Sequence, residues 1–205
     1  MNIQSARDEF LALMQAIEED PHHVQHVAML AVHLFDELED LHGLGNNDRL
    51  ILEAASTLHD IGWSVARSGE GHHRESARLI REHRWQHFTV DTVALMAQVA
   101  RYHRKSLPDL EHEEFAALSP AERLRVQQLA SVLRVADGLD RSHQQRVTHL
   151  SAELSPGRIV IHLSATGPIS REIAAATRKA DLVRAVFQRE IVFAPQPGTD
   201  IRPGA

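Results

Sequence analysis

The 205 residues predict a mostly α fold: a helical bundle over residues 1–145 with a small α+β appendage over 146–194. Three observations carry that reading. Apolar residues recur at i, i+3, i+4 and i+7 through the first three-quarters of the chain, the period of a helix with one buried face. Helix start signals accompany them. Asp20-Pro21 and Ser119-Pro120-Ala121-Glu122 each set a capping side chain before proline at the first helical position, the second as a capping box. After Gln145 the period changes, and two short β-branched runs, Val147–Leu154 and Arg158–Ser164, flank the turn Ser155-Pro156-Gly157 as a hairpin.

Taken in chain order, Phe10, Leu13, Met14 and Ile17 mark a short first helix. From Pro21, the stripe Val24, Val27, Ala28, Ala31, Leu34, Phe35, Leu38 and Leu41 predicts one long helix ended by Gly43. Asn46-Asn47 is placed to cap the next helix, which runs to His59-Asp60 and stops near Gly62. Two helical stretches follow, at about 72–82 and about 90–103, and the capped helix from Pro120 extends to about Arg141. Beyond the hairpin, Arg171–Phe187 reads as one helix and Glu190–Phe193 as a third strand. The tail 195–205 is rich in Pro and Gly and reads as flexible.

Composition narrows the function. No apolar run approaches the roughly 20 residues of a membrane span, and no signal peptide is visible at the start. Cysteine is absent, which excludes disulfides and zinc–thiolate sites and leaves the cytoplasm as the default compartment. With 22 Lys and Arg against 28 Asp and Glu, a net charge of -6 argues against general nucleic-acid binding, which needs dense positive charge. The excess is in histidine, 15 of them, and that favours a metal site.

Four groups stand where a folded chain should not leave them unpaired. His59-Asp60 closes an apolar helix, and at a helix end adjacent side chains can converge on one cation. His23 lies beside the buried stripe of the helix opened by Pro21. Asp137 interrupts the apolar face of Leu133-Arg134-Val135-Ala136, where an uncompensated carboxylate costs several kcal/mol. Imidazole with carboxylate suits Mn, Fe, Ni and Zn, and carboxylate also admits Mg.

In order and spacing, this set resembles the HD superfamily of metal-dependent phosphohydrolases over about Pro21 to Asp140. The segments Leu58-His59-Asp60-Ile61-Gly62, Ser68-Gly69-Glu70-Gly71-His72-His73, Ala100-Arg101-Tyr102-His103-Arg104-Lys105 and Arg134–Ser142 look like the C-terminal HD domain of the exopolyphosphatase/guanosine pentaphosphatase family. The mixed segment from Val147 to Phe193 resembles the end of those proteins. In that family polyphosphate hydrolysis belongs to preceding actin-like domains. These 205 residues contain none, so the resemblance does not carry that activity here.

Residue by residue, the resemblance implies a first divalent ion on His23, His59, Asp60 and Asp137. Asp60 would bridge to a second ion served by His72 and His103, with His73 as the competitor of His72. Arg104, Lys105 and Arg141 would grip phosphate oxygens, with Arg101 grouped beside them. Asp140 would orient a ligand or pair with Arg141 or Arg134. The other histidines, His42, His112 and His143 among them, read as solvated surface residues. The expected function is metal-dependent hydrolysis of a small phosphate ester or anhydride, a nucleotide foremost, by a metal-activated water. The competing readings are a non-catalytic module that binds polyphosphate or a guanosine alarmone, and a homodimer scaffold joined through the hairpin.

Overall fold

The structure, a computed structural model, describes residues 2–66 and 70–196. Among them are ten helices, where the sequence predicts seven, and a three-stranded sheet; the mostly α class with a small α+β appendage is as predicted. None of these helices is long and apolar enough to cross a membrane.

Helix α1 (Ile3–Ile17) is capped by Asn2, whose side chain accepts from the amides of Gln4 and Ser5. Helix α2 (Pro21–Glu37) opens with the Asp20 carboxylate accepting the His23 amide at 3.1 Å. The stripe expected to continue to Leu41 is divided. Leu38 leaves helical geometry while staying fully buried, and α3 (Glu39–His42) follows as a separate turn. Gly43, at φ 62, ends it in the left-handed region that favours glycine. Helix α4 (Asn46–Thr57) is capped one residue earlier than expected. Gly45 is its N-cap, Asn46 is already helical, and no side chain caps the end. The chain then leaves the helix through Leu58, His59 and Asp60 into a 3-10 turn, Ile61–Ser64.

Helices α5 (His72–Glu82), α6 (Val90–Arg101), a short α7 (Glu113–Ala116) and α8 (Pro120–Leu139) complete the bundle, with the Ser119–Glu122 capping box present at α8. The Ser68-Gly69 part of the family-like segment lies outside the described residues. Strands β1 (Val147–Ser155) and β2 (Arg158–Ala165) pair antiparallel. Helices α9 (Ser170–Lys179) and α10 (Asp181–Phe187) then carry the chain over to β3 (Glu190–Pro195), parallel to β2. The single helix expected over Arg171–Phe187 is therefore two, divided at Ala180. Pro195, read as the start of the tail, closes β3, and the tail from 197 on lies outside the described residues.

Helix α2 packs on α4, α8 and β1, α6 on α4, α5 and α8, and both α9 and α10 on α8. Alternation puts Ile159, Ile161 and Leu163 of β2 on the buried face, where they join the same apolar cluster as Leu34, Leu52 and Leu133 of the helices. Buried Arg134 ties the two regions together. Its Nη1 donates to the Tyr102 carbonyl at 3.0 Å, and Nε and Nη2 fork onto the Asp181 carboxylate.

Two glycines allow backbones to approach closely on either side of the bundle. A Cβ at Gly62 would sit 2.1 Å from the His72 carbonyl oxygen, so the 3-10 turn can rest against α5 only without a side chain there. A Cβ at Gly138 would sit 2.7 Å from both Cα and N of Ala176, so α9 lies on the bare backbone of α8. Gly138→Ala should therefore cost about 1–3 kcal/mol through overpacking. Gly167→Ala, with nothing within 4 Å of its Cβ position, should stay within about 0.5 kcal/mol in the same urea titration.

Candidate metal centre

Five helix ends meet at one place. His23 lies in the first turn of α2, His59 and Asp60 just follow α4, and His72 opens α5. His103 follows α6, and Asp137 occupies the last turn of α8. The four imidazoles are at most 1% exposed. The six residues form three interlocking groups, His23–His59–Asp60, His59–His103–Asp137 and Asp60–His72–His103. Within each, the ligand atoms lie within 4.8 Å of one another. The division expected from sequence puts His103 with His72 alone. Here His103 also shares a group with His59 and Asp137.

Hydrogen bonds behind the cluster decide which ring nitrogens face it. His59 Nδ1 lies 2.7 Å from the Ser56 carbonyl and His103 Nδ1 2.7 Å from the Ala100 carbonyl, each three residues back on its own helix. A carbonyl only accepts, so both Nδ1 atoms donate, and in the neutral ring each Nε2 presents its lone pair to the cluster. His23 Nδ1 lies 2.9 Å from Asp140 Oδ2. Burial opposes ionisation of Asp140, but the His23 hydrogen bond and the Gln145 amide outweigh it and hold the carboxyl below its usual range. That carboxylate also accepts only, so a third Nε2 turns inward as an acceptor. The His59 ring is fully buried, and its Nε2 has no hydrogen-bond partner. A buried acceptor without a donor is costly unless a cation takes the lone pair.

The carboxylates complete the set. Asp60 Oδ2 is 3.6 Å from His59 Nε2 and 4.0 Å from His23 Nε2, while Oδ1 is 3.2 Å from His72 Nε2 and 3.5 Å from His103 Nε2. Each oxygen thus faces its own pair of imidazoles. Burial works against Asp60 ionising, yet His59, His72 and His103 hold its carboxyl well below the usual range. Asp137 is lowered too: burial again opposes, and Lys179, His59 and His103 outweigh it. His103 moves the other way for a base, since burial and the neighbouring His59 keep it neutral far below the usual imidazole range. Neutral imidazole nitrogens beside two ionised carboxylates are a donor set for a divalent ion such as Mn, Fe, Ni or Zn.

The cluster forms the floor of a cavity of about 350 Å³. Arg104, Lys105 and Arg141 line it, as expected, with Arg104 Nη1 3.3 Å from His72 Nε2. Arg101 does not belong with them. It reaches Glu114 at 2.6 Å and lines a separate groove with Arg74 and Arg81. Asp140 pairs with neither Arg141 nor Arg134. Besides His23 it accepts the Gln145 amide at 2.8 Å, which folds residues 141–145 against the site. His73 stands behind His72, ring centroids 5.9 Å apart, outside all three groups. Burial, with His72 and Arg104 nearby, lowers its pKa to about 4. His42 is buried rather than solvated, donating to the Phe35 carbonyl and accepting the Leu44 amide.

Four lining residues were not legible as such. Lys179 and Arg178 come from α9, Trp63 stacks on His72 (centroids 4.1 Å, 23°), and His143 stacks on His23 (3.7 Å, 7°) while bonded to Asp20. Basic residues in the last turn of a helix are routine, so the sequence carried no signal for Lys179.

The sequence profile described as Ppx/GppA phosphatase, domain III, matches residues 8–172, and the chain belongs to that family. No curated protein sequence matches it.

His59→Ala should abolish uptake of a divalent ion, read by mass spectrometry of metal content, while leaving helical circular dichroism intact. Asp140→Asn, which touches no candidate ion, should weaken metal affinity by about 10–100-fold because it frees the His23 ring. Full occupancy in His59→Ala would overturn the assignment.

The metal-free protein should lose stability as pH falls from about 6.5 toward 4. In that window the unfolded chain binds a proton on His73 that the folded chain refuses, and His103 acts in the same sense. The advantage from Asp60 and Asp137 is lost lower still, as pH drops through their depressed values. Equal urea midpoints at pH of about 7.5 and about 5 would show that these rings titrate as free imidazoles.

Proposed function

We propose that the chain is a metal-dependent phosphohydrolase of the HD type, acting on a small phosphate ester or anhydride, with nucleotides the foremost class. The observation that supports it is the coincidence of an oriented imidazole–carboxylate floor with a cationic rim in one cavity. A divalent ion on that floor would supply Lewis acidity and an activated water for attack on phosphorus.

The residues themselves do the rest. Asp60 offers one oxygen to each side of the cluster, which suits a carboxylate shared between two sites. Arg104, Lys105 and Arg141 are placed to bind non-transferred phosphate oxygens, guanidinium groups by paired N–H bonds and the lysine as a point charge. The volume of about 350 Å³ suits a compact ligand. Membership of the Ppx/GppA family favours phosphate chemistry and brings polyphosphate and guanosine pentaphosphate among the substrates to try.

Purified protein loaded with Mn or Ni should hydrolyse members of a panel of mono-, di- and cyclic nucleotides and a generic phosphoester. Chelator and Asp60→Ala should both reduce the rate to background. Absence of turnover across the panel, together with tight polyphosphate binding in metal-stripped protein, would replace this reading with a regulatory one.

A further inference from the structure

The strongest feature that the proposed function does not use is Lys179. Its ammonium bonds the Asp137 carboxylate and lies 3.4 Å from the His103 carbonyl, so it sits among the candidate ligands. It comes from the last turn of α9, beyond the span that the family profile matches, with Arg178 beside it in the cavity wall. The placement is built. Gly138 lets α9 rest on the backbone of α8 one residue after Asp137, and Arg134 fixes the α9–α10 corner through Asp181. Lys179 keeps about a fifth of its side chain exposed, at 22%, on the cavity side.

We propose that Lys179, with Arg178, is a substrate-binding pair supplied by the C-terminal segment, and that its ammonium and a divalent ion compete for Asp137. The proposal rests on the metal-dependent reading of the site. Lys179 holds Asp137 Oδ2 while Oδ1 faces His23 Nε2 at 3.8 Å, and an ammonium and a divalent cation on the two oxygens of one carboxylate repel each other and divide its charge. When an ion takes Asp137, the lysine loses its anion but stays tethered by α9 at the cavity wall. A phosphoryl oxygen then becomes its partner. No bond is made or broken; the ammonium exchanges a carboxylate for a phosphate.

Two probes test this, manganese alone and inorganic phosphate. Lys179→Met should bind manganese about tenfold tighter than wild type in a calorimetric titration, because the internal competitor is gone. The manganese-loaded variant should bind inorganic phosphate about tenfold weaker, and Lys179→Arg should restore phosphate affinity. A lysine that only propped up the fold would weaken both. Manganese affinity equal to or below wild type, with helical content unchanged, overturns the proposal. Should Lys179→Met lose helical content, wild type decides: phosphate must tighten manganese binding and manganese must tighten phosphate by the same factor. Independent binding overturns it. Wild-type protein that binds no manganese removes the metal reading and this proposal together, whereas binding that ignores Lys179→Met removes this proposal alone.

Discussion

Everything at this site depends on bringing two carboxylates, Asp60 and Asp137, to a junction of helix ends at the floor of one cavity. Like charges so placed destabilise each other unless positive charge lies between or beside them. His59 and His103 turn Nδ1 to main-chain carbonyls and His23 turns its own to Asp140, so all three present Nε2 to the carboxylates. The junction is thus rich in lone pairs and formally anionic. The helical bundle contributes by fixing these groups, through termini that cannot move independently of the core cluster behind them.

The C-terminal segment is part of that arrangement. Its sheet packs through β1 on α2, whose first turn carries His23, and its helices lie on α8, whose last turn carries Asp137. Asp20 shows the same economy at smaller scale. One carboxylate caps α2 with Oδ1 and holds His143 over His23 with Oδ2.

Local signals were readable where one residue decides the outcome. The capping box at Ser119, the Asp20-Pro21 start and the turn at Pro156-Gly157 each act within a few positions and gave the correct elements. Of the six ligand candidates, His23, His59, Asp60 and Asp137 were legible as polar groups beside, within or closing apolar helix faces, while His72 and His103 followed only from the family resemblance. What failed depended on packing. Leu38 and Ala180 interrupt helices whose apolar period runs on without a break, and both stay fully buried where the backbone leaves helical geometry. Arg101 and Arg104 are three residues apart and looked equivalent. Arg101 falls within the anion reach of Glu114, while Arg104 lies past the helix end beside His72. Lys179 was invisible because nothing in its own neighbourhood distinguishes a lysine that meets an aspartate 42 residues away.

The main-chain acceptors behind His59 and His103 set a limit on how this centre can change over time. A peptide carbonyl is the same whatever side chain is attached, so a substitution at buried Ser56 or Ala100 that the packing accommodates keeps the acceptor of each ring in place. The His23 arm is different, because its support is the side chain of Asp140, which a single codon change can remove. Drift in a lineage would therefore act unevenly. Two arms of the candidate centre are supported by main-chain atoms at helix ends, and the third is the one whose orientation a single side-chain substitution can change.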